Sequence, residues 1–205
     1  MPSTESIFNQ TYEKYLAQLR ELSLAALAPK IGADYSDNRL RIALFDRVFE
    51  VSSTGITGQD GKRPSYDVCV ILCKYLLLFT ESPERDENWV SFRDFKDSRP
   101  LHNYFANEVE RAVATHFSGR IDALKMACES INGYHPDLQV SYDLAMQFDA
   151  LPKHSVILLV NDADAEFPAQ CTVLFPAHFD ACLDAECIAM VGFQLVGRLK
   201  QFAGR

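Results

Sequence analysis

The sequence has 6 cysteines but no Cys-x-x-Cys pair. Six in 205 residues, irregularly spaced, is far too few for a disulfide scaffold. No run of about 18 uncharged apolar residues is present, so no membrane-spanning helix is expected. The first residues lack a basic segment leading into an apolar one, because Glu5, Glu13, Lys14, Arg20 and Glu21 interrupt the apolar positions. Positive charge is also scarce. Lys and Arg number 20 against 28 Asp and Glu, giving a net charge of -8 and a pI of about 5.1. A protein built to grip phosphate backbones is normally basic, so no nucleic-acid partner is expected. These absences together describe a reduced, cytoplasmic protein with free thiols and no membrane partner.

What is present is ordinary for a globular chain: 48% hydrophobic, 11% aromatic and 23% charged residues. The length suits one domain over residues 1–205. Charge is unevenly spread. Residues 137–187 hold nine acids and one base, Lys153. That acidic face reads as a solvated surface, or as a site for a cation or a basic partner.

Periodicity places the elements. Phe8, Tyr12, Tyr15, Leu16, Leu19 and Leu22 predict a helix over 6–28, ended or turned by Pro29. Leu40, Ile42 and Leu44, followed by Val48, Phe49 and Val51, predict a β-hairpin or meander. A helix apolar nearly all round is expected from Ser65 to about Phe79, followed by a charged connection over Thr80–Asn88. Trp89–Phe95 is short, aromatic and alternating. Two helices are expected over 101–117 and 119–131. Strands then follow over Ser141–Phe148, Ser155–Val160 and Phe167–Phe175, the last two forming a hairpin around acids. An amphipathic helix closes the chain over 184–203. The expected class is α+β: an antiparallel sheet of about five strands with helices packed on one side.

Motifs for known chemistry fail on spacing. Gly55–Lys62 has the wrong interval for a phosphate loop, and Arg63 stands where a hydroxyl should hold magnesium. Asp162, Asp164 and Glu166 open like an EF-hand, but its sixth and twelfth positions hold Phe167 and Val173. Three carboxylates at alternate positions of an extended chain would still share a face, which makes them candidate ligands for a weakly held divalent cation. His102 and His116 sit fourteen residues apart, roughly 21 Å along a helix, too far to share a metal. His178, Cys182 and Cys187 form a dense potential ligand set, which reads equally as buried thiols beside a helix start. Hydrolase, zincin and dinucleotide fingerprints are absent.

Tyr66–Leu72, Trp89–Phe95 and Asp162–Ala169 before Leu174-Phe175, in that order and spacing, resemble a family of prokaryotic proteins catalogued as a domain of unknown function. Some relatives in that family are joined to cysteine-rich iron–sulphur segments. This chain has none, so the resemblance implies a redox or cofactor role only weakly, and the cofactor is left unknown. It does direct attention to Trp89, Arg93, Asp94 and the Asp162–Phe167 turn as one surface.

The residues allow a concrete expectation. Trp89, Phe92 and Phe167 offer flat apolar contact, Arg93 a fork for carboxylate or phosphate, and Asp94 a further polar group. The expected function is binding of a small molecule or cofactor between the Trp89–Phe95 segment and the hairpin 161–167. Acid/base catalysis by Asp94, Asp162, Asp164 and Glu166 is the enzymatic alternative, and an interaction module using the acidic face is a third. A homodimer is compatible with the sequence. Arg93 is expected to pair with an acid of the Asp162–Glu166 turn.

Overall fold

The computed structural model describes residues 4–80 and 88–203. The charged connection expected over Thr80–Asn88 lies largely outside the described residues. The chain begins with α1 (Thr4–Arg20) and α2 (Leu24–Ile31). One long helix does not form, because Ser23 adopts extended backbone and its Oγ accepts the Ala26 N–H, starting a second helix. Pro29 lies inside α2 rather than after it, and the helix ends at Gly32, which is left-handed at φ 70°.

Four strands follow: β1 (Asp34–Ser36), β2 (Arg39–Leu44), β3 (Arg47–Ser52) and β4 (Gly55–Thr57). They form an antiparallel sheet in the order β1-β2-β3-β4. Alternation fixes its faces: Leu40, Ile42 and Leu44 are buried while Arg39 and Arg41 are exposed. Tyr12 docks α1 on this sheet, its hydroxyl accepting the Ile56 N–H at 2.8 Å.

Helix α3 (Tyr66–Leu78) is buried on nearly every side, including Cys69, Ile71, Leu72, Cys73 and Tyr75. This matches its lack of a polar face. It packs against α1 and against α7 (Ala185–Phe202). Between them the chain forms β5 (Trp89–Ser91) and two short 3-10 turns, Phe92–Asp94 and Arg99–Leu101. It continues as α4 (His102–Phe105), a π turn (Ala106–Glu110), α5 (Arg111–Phe117) and α6 (Ile121–Ser130).

The second antiparallel sheet contains β6 (Leu144–Leu151), β7 (His154–Asn161) and β8 (Gln170–Pro176), in the order β5-β8-β7-β6. The class is α+β, as the sequence indicates, with the strands divided between two four-stranded sheets. The sheets meet where Phe45 N–H donates to Ala150 O at 3.0 Å and the Phe45 ring meets Phe148 edge-on. A single buried apolar cluster runs from Tyr12 through both sheets to Leu199. Burying one Leu or Phe side chain contributes about 1.5–3 kcal/mol, so this cluster dominates stability.

Two close approaches hold α7 in place. A Cβ on Gly192 would lie 2.6 Å from the Phe105 ring, so the helix meets α4 and the π turn where it has no side chain. At its far end Arg198 grips Asp46 of the β2–β3 turn, with Nε donating to Oδ1 at 3.0 Å and Nη2 to Oδ2. Both side chains are largely buried. Among the described residues no helix is long and apolar enough to cross a membrane.

Candidate functional site

Trp89 and Ser91 pair with Pro176 and Leu174, so β5 is an edge strand of the second sheet. Trp89 is half-buried there. Phe92 is core: it is 2% exposed and stacks on Phe105 with ring centroids 4.3 Å apart. Asp94 turns back on Ser91, accepting its N–H at 2.9 Å and its hydroxyl at 2.8 Å. That bond closes the turn carrying Phe92, so Asp94 has a local structural use. Of the residues expected to bind a ligand from this segment, Arg93 is exposed with its charge free of any ion pair among the described residues.

The hairpin between β7 and β8 does not bring its three acids together. Asp162 Oδ1 accepts the Gly119 N–H at 2.7 Å and the Ala163 N–H at 2.8 Å. Asp164 Oδ1 accepts from Glu166 N and Phe167 N, curling the chain instead of extending it. These two N–H groups hold the Asp164 carboxyl below its ordinary pKa. Alternate side chains share a face only in extended backbone, which this turn is not. Among the described residues no three His, Cys, Asp or Glu side chains converge as a metal site. Phe167 projects from the turn, 61% exposed.

Arg93 makes no ion pair with that turn. The carboxylate that senses it is Glu110, in the last position of the π turn. Glu110 Oε1 accepts the Val173 N–H at 3.3 Å, and burial pushes its carboxyl above the ordinary range, with Arg93 opposing the shift. The expected pairing of Arg93 with an acid of the Asp162–Glu166 turn is therefore absent among the described residues, and the carboxylate that Arg93 influences is Glu110. The π turn rotates Glu110 toward the sheet, which helical periodicity does not anticipate.

Downstream of Arg93 the structure assembles something the sequence reading passed over. Arg93, Phe95, Lys96, Asp97, Ser98, Arg99, Pro100 and His102 line one cleft of about 540 Å³. Its basic residues recur at every third position: 93, 96, 99 and 102. Arg93 and Arg99 sit in the two short 3-10 turns, and Lys96 lies in the irregular loop between them. Ser98 anchors the loop. It is 1% exposed, its Oγ 2.7 Å from Phe95 O and 2.8 Å from His102 Nε2. With its single proton given to the carbonyl, Ser98 Oγ accepts from the imidazole N–H. Asp97 reverses the chain at φ 62°, a left-handed conformation tolerated by Asp and Asn. Lys96 and Arg99, like Arg93, are exposed and make no ion pair among the described residues.

A third cluster is closed to solvent. Cys182 Sγ lies 3.5 Å from His154 Nε2, while His154 Nδ1 donates to Pro152 O at 3.1 Å. Burial pushes His154 down to about 4 and Cys182 up to about 12. The pair is therefore neutral, unlike the thiolate of a reactive cysteine. His178 Nδ1 is buried beside it without a hydrogen-bond partner among the described residues. Cys187 is buried in the first turn of α7, its N–H donating to Asp184 Oδ1 at 3.0 Å. His178, Cys182 and Cys187 do not form a metal site in this arrangement.

No curated protein and no solved structure gives a significant match to the chain. A family model for a domain of unknown function, DUF3786, matches residues 23–198, spanning both sheets, the basic cleft and nearly all of α7. On that coverage, the chain belongs to the DUF3786 family.

Proposed function

We propose that this protein binds a small anionic molecule in the cleft lined by residues 93–102. The observation that carries this reading is the state of Arg93, Lys96 and Arg99. Three cations lie around one concavity, and none forms an ion pair among the described residues. Arg198 and Lys74 are neutralised by Asp46 and Asp184, and bases such as Arg41 and Lys125 stand singly on the surface; Arg93, Lys96 and Arg99 are set apart by sharing one concavity. Unpaired guanidinium groups beside a cleft favour carboxylate or phosphate oxygens, which their planar fork meets in pairs. The cleft volume falls in the usual range for small ligands, about 300–1,000 Å³. This reading keeps Arg93 from the sequence expectation and assigns the hairpin acids to folding. The free thiols at all six cysteines support a reducing, cytoplasmic setting.

The test is thermal unfolding of the purified protein in phosphate, sulfate or chloride at equal ionic strength. Phosphate and sulfate are expected to raise the Tm above its value in chloride. A variant with Arg93→Gln, Lys96→Gln and Arg99→Gln should lose that increment while unfolding as cooperatively as the parent. An increment that survives in the triple variant would overturn the assignment.

A further inference from the structure

Resting on that anion-binding reading, we infer that the ligand is a phosphate monoester bearing a hydroxyl group, with its dianionic head against Arg93, Lys96 and Arg99 and its hydroxyl on Asp97. All four groups come from one ten-residue segment, which supplies every described residue lining the cleft. Arg93 and Arg99 sit in the two 3-10 turns and Lys96 in the loop between them, and all three line this one cleft. Cations gathered on one short segment suit a compact group carrying two negative charges. A dicarboxylate separates its charges by several bonds, and is better matched by cations on two opposing elements. Arg is also well suited to adjacent phosphate oxygens, which accept from both arms of its fork.

The size of the cleft and the remaining side chains decide the rest. About 540 Å³ holds many water molecules, at about 30 Å³ each. That is far more than a bare tetrahedral anion occupies, which leaves room for an organic part. Exposed Pro100 gives it apolar surface, above the buried ring of Phe95. Among the described residues Asp97 is the one carboxylate lining the cleft, and it makes no ion pair or hydrogen bond with another of them. It would repel a second anionic group and accept a hydrogen bond from a hydroxyl. Ser98 and its bonds to Phe95 and His102 fix the loop carrying these groups, so the site is organised before the ligand arrives.

Titration calorimetry with glycerol 3-phosphate, inorganic phosphate, dimethyl phosphate and succinate tests this. Glycerol 3-phosphate is expected to bind at least tenfold more tightly than dimethyl phosphate or succinate, with inorganic phosphate between. Arg99→Gln should weaken glycerol 3-phosphate by about tenfold, the loss of one charge-assisted contact. Asp97→Asn, which keeps a residue suited to φ 62°, should weaken glycerol 3-phosphate and leave inorganic phosphate unchanged or tighter. Circular dichroism of both variants guards against misfolding. Succinate or dimethyl phosphate binding as tightly as glycerol 3-phosphate would overturn the monoester assignment while leaving an anion site standing. Equal losses for glycerol 3-phosphate and inorganic phosphate in Asp97→Asn would overturn the role of Asp97. Failure of all four probes to bind would overturn the anion-binding reading as well.

Discussion

Two charged segments adjoin β8, and they use their charges in opposite ways. The turn before β8 directs Asp162 and Asp164 onto four backbone N–H groups, those of Gly119, Ala163, Glu166 and Phe167. The segment after β5, the strand paired to β8, leaves Arg93, Lys96 and Arg99 without ion pairs among the described residues. Short carboxylates reach nearby N–H groups easily, so acids in tight turns are readily absorbed into folding. Long cationic side chains cannot accept hydrogen bonds and cross several ångströms of solvent before meeting a partner. Acidic clusters are therefore poor evidence of a site, and unpaired cations beside a cleft are better evidence.

The strongest challenge to this division falls on Phe92, which belongs to the basic segment but is buried. Phe92→Ala should cost about 4 kcal/mol in urea unfolding, as for a stacked core phenylalanine. A loss below about 1 kcal/mol would mean the ring is not core and remains open to a ligand. Arg198→Ala supplies the benchmark for a cation that is committed. It strands a largely buried Asp46 and should cost about 3 kcal/mol.

Acid titration separates buried from exposed charge in another way. The folded pKa of His154, about 4, lies below its ordinary value of 6.5. Between those values the unfolded chain takes up the proton first, so stability falls as the pH drops through that window. The expected loss is about 3 kcal/mol, read from urea midpoints at pH 7 and near pH 4. A His154→Phe variant should show a flatter profile. Asp164 acts at lower pH still: its depressed pKa means its contribution is lost only as the carboxyl is protonated.

Smaller effects mark the two segments themselves. Asp162→Ala should cost about 1.5 kcal/mol, because the Gly119 and Ala163 N–H groups lose a charged acceptor. Asp162→Asn, which can still accept, should recover much of it. Arg99→Gln should change stability by less than about 0.5 kcal/mol, since the side chain is exposed and unpaired. A stability loss comparable to that of Arg198→Ala would show that Arg99 has a structural partner, and would break the comparison at its centre.

Much of the fold was readable along the chain. The all-round apolar helix α3, the β2–β3 hairpin, the β7–β8 hairpin and the terminal helix α7 follow from periodicity and end signals. The break between α1 and α2 was less visible, because the apolar spacing runs on through Leu22 while Ser23 caps anew. The basic cleft left a signal too: a base at every third position from 93 to 102. That spacing is neither the helical nor the strand period, and only the irregular loop between two short 3-10 turns brings these bases to one cleft.

The sequence by itself determined the α+β class and the family resemblance, because periodicity, spacing and residue order are local properties of the chain. Tertiary structure alone decided which charges are used. Arg198 meets Asp46 across 152 positions, and Glu110 meets Val173 across 63. Whether a charged side chain finds a partner depends on what packing brings beside it. Arg198 and Arg93 are the same residue in the sequence, and only the packing of α7 against the β2–β3 turn makes one a structural tie and leaves the other free at the edge of a cleft.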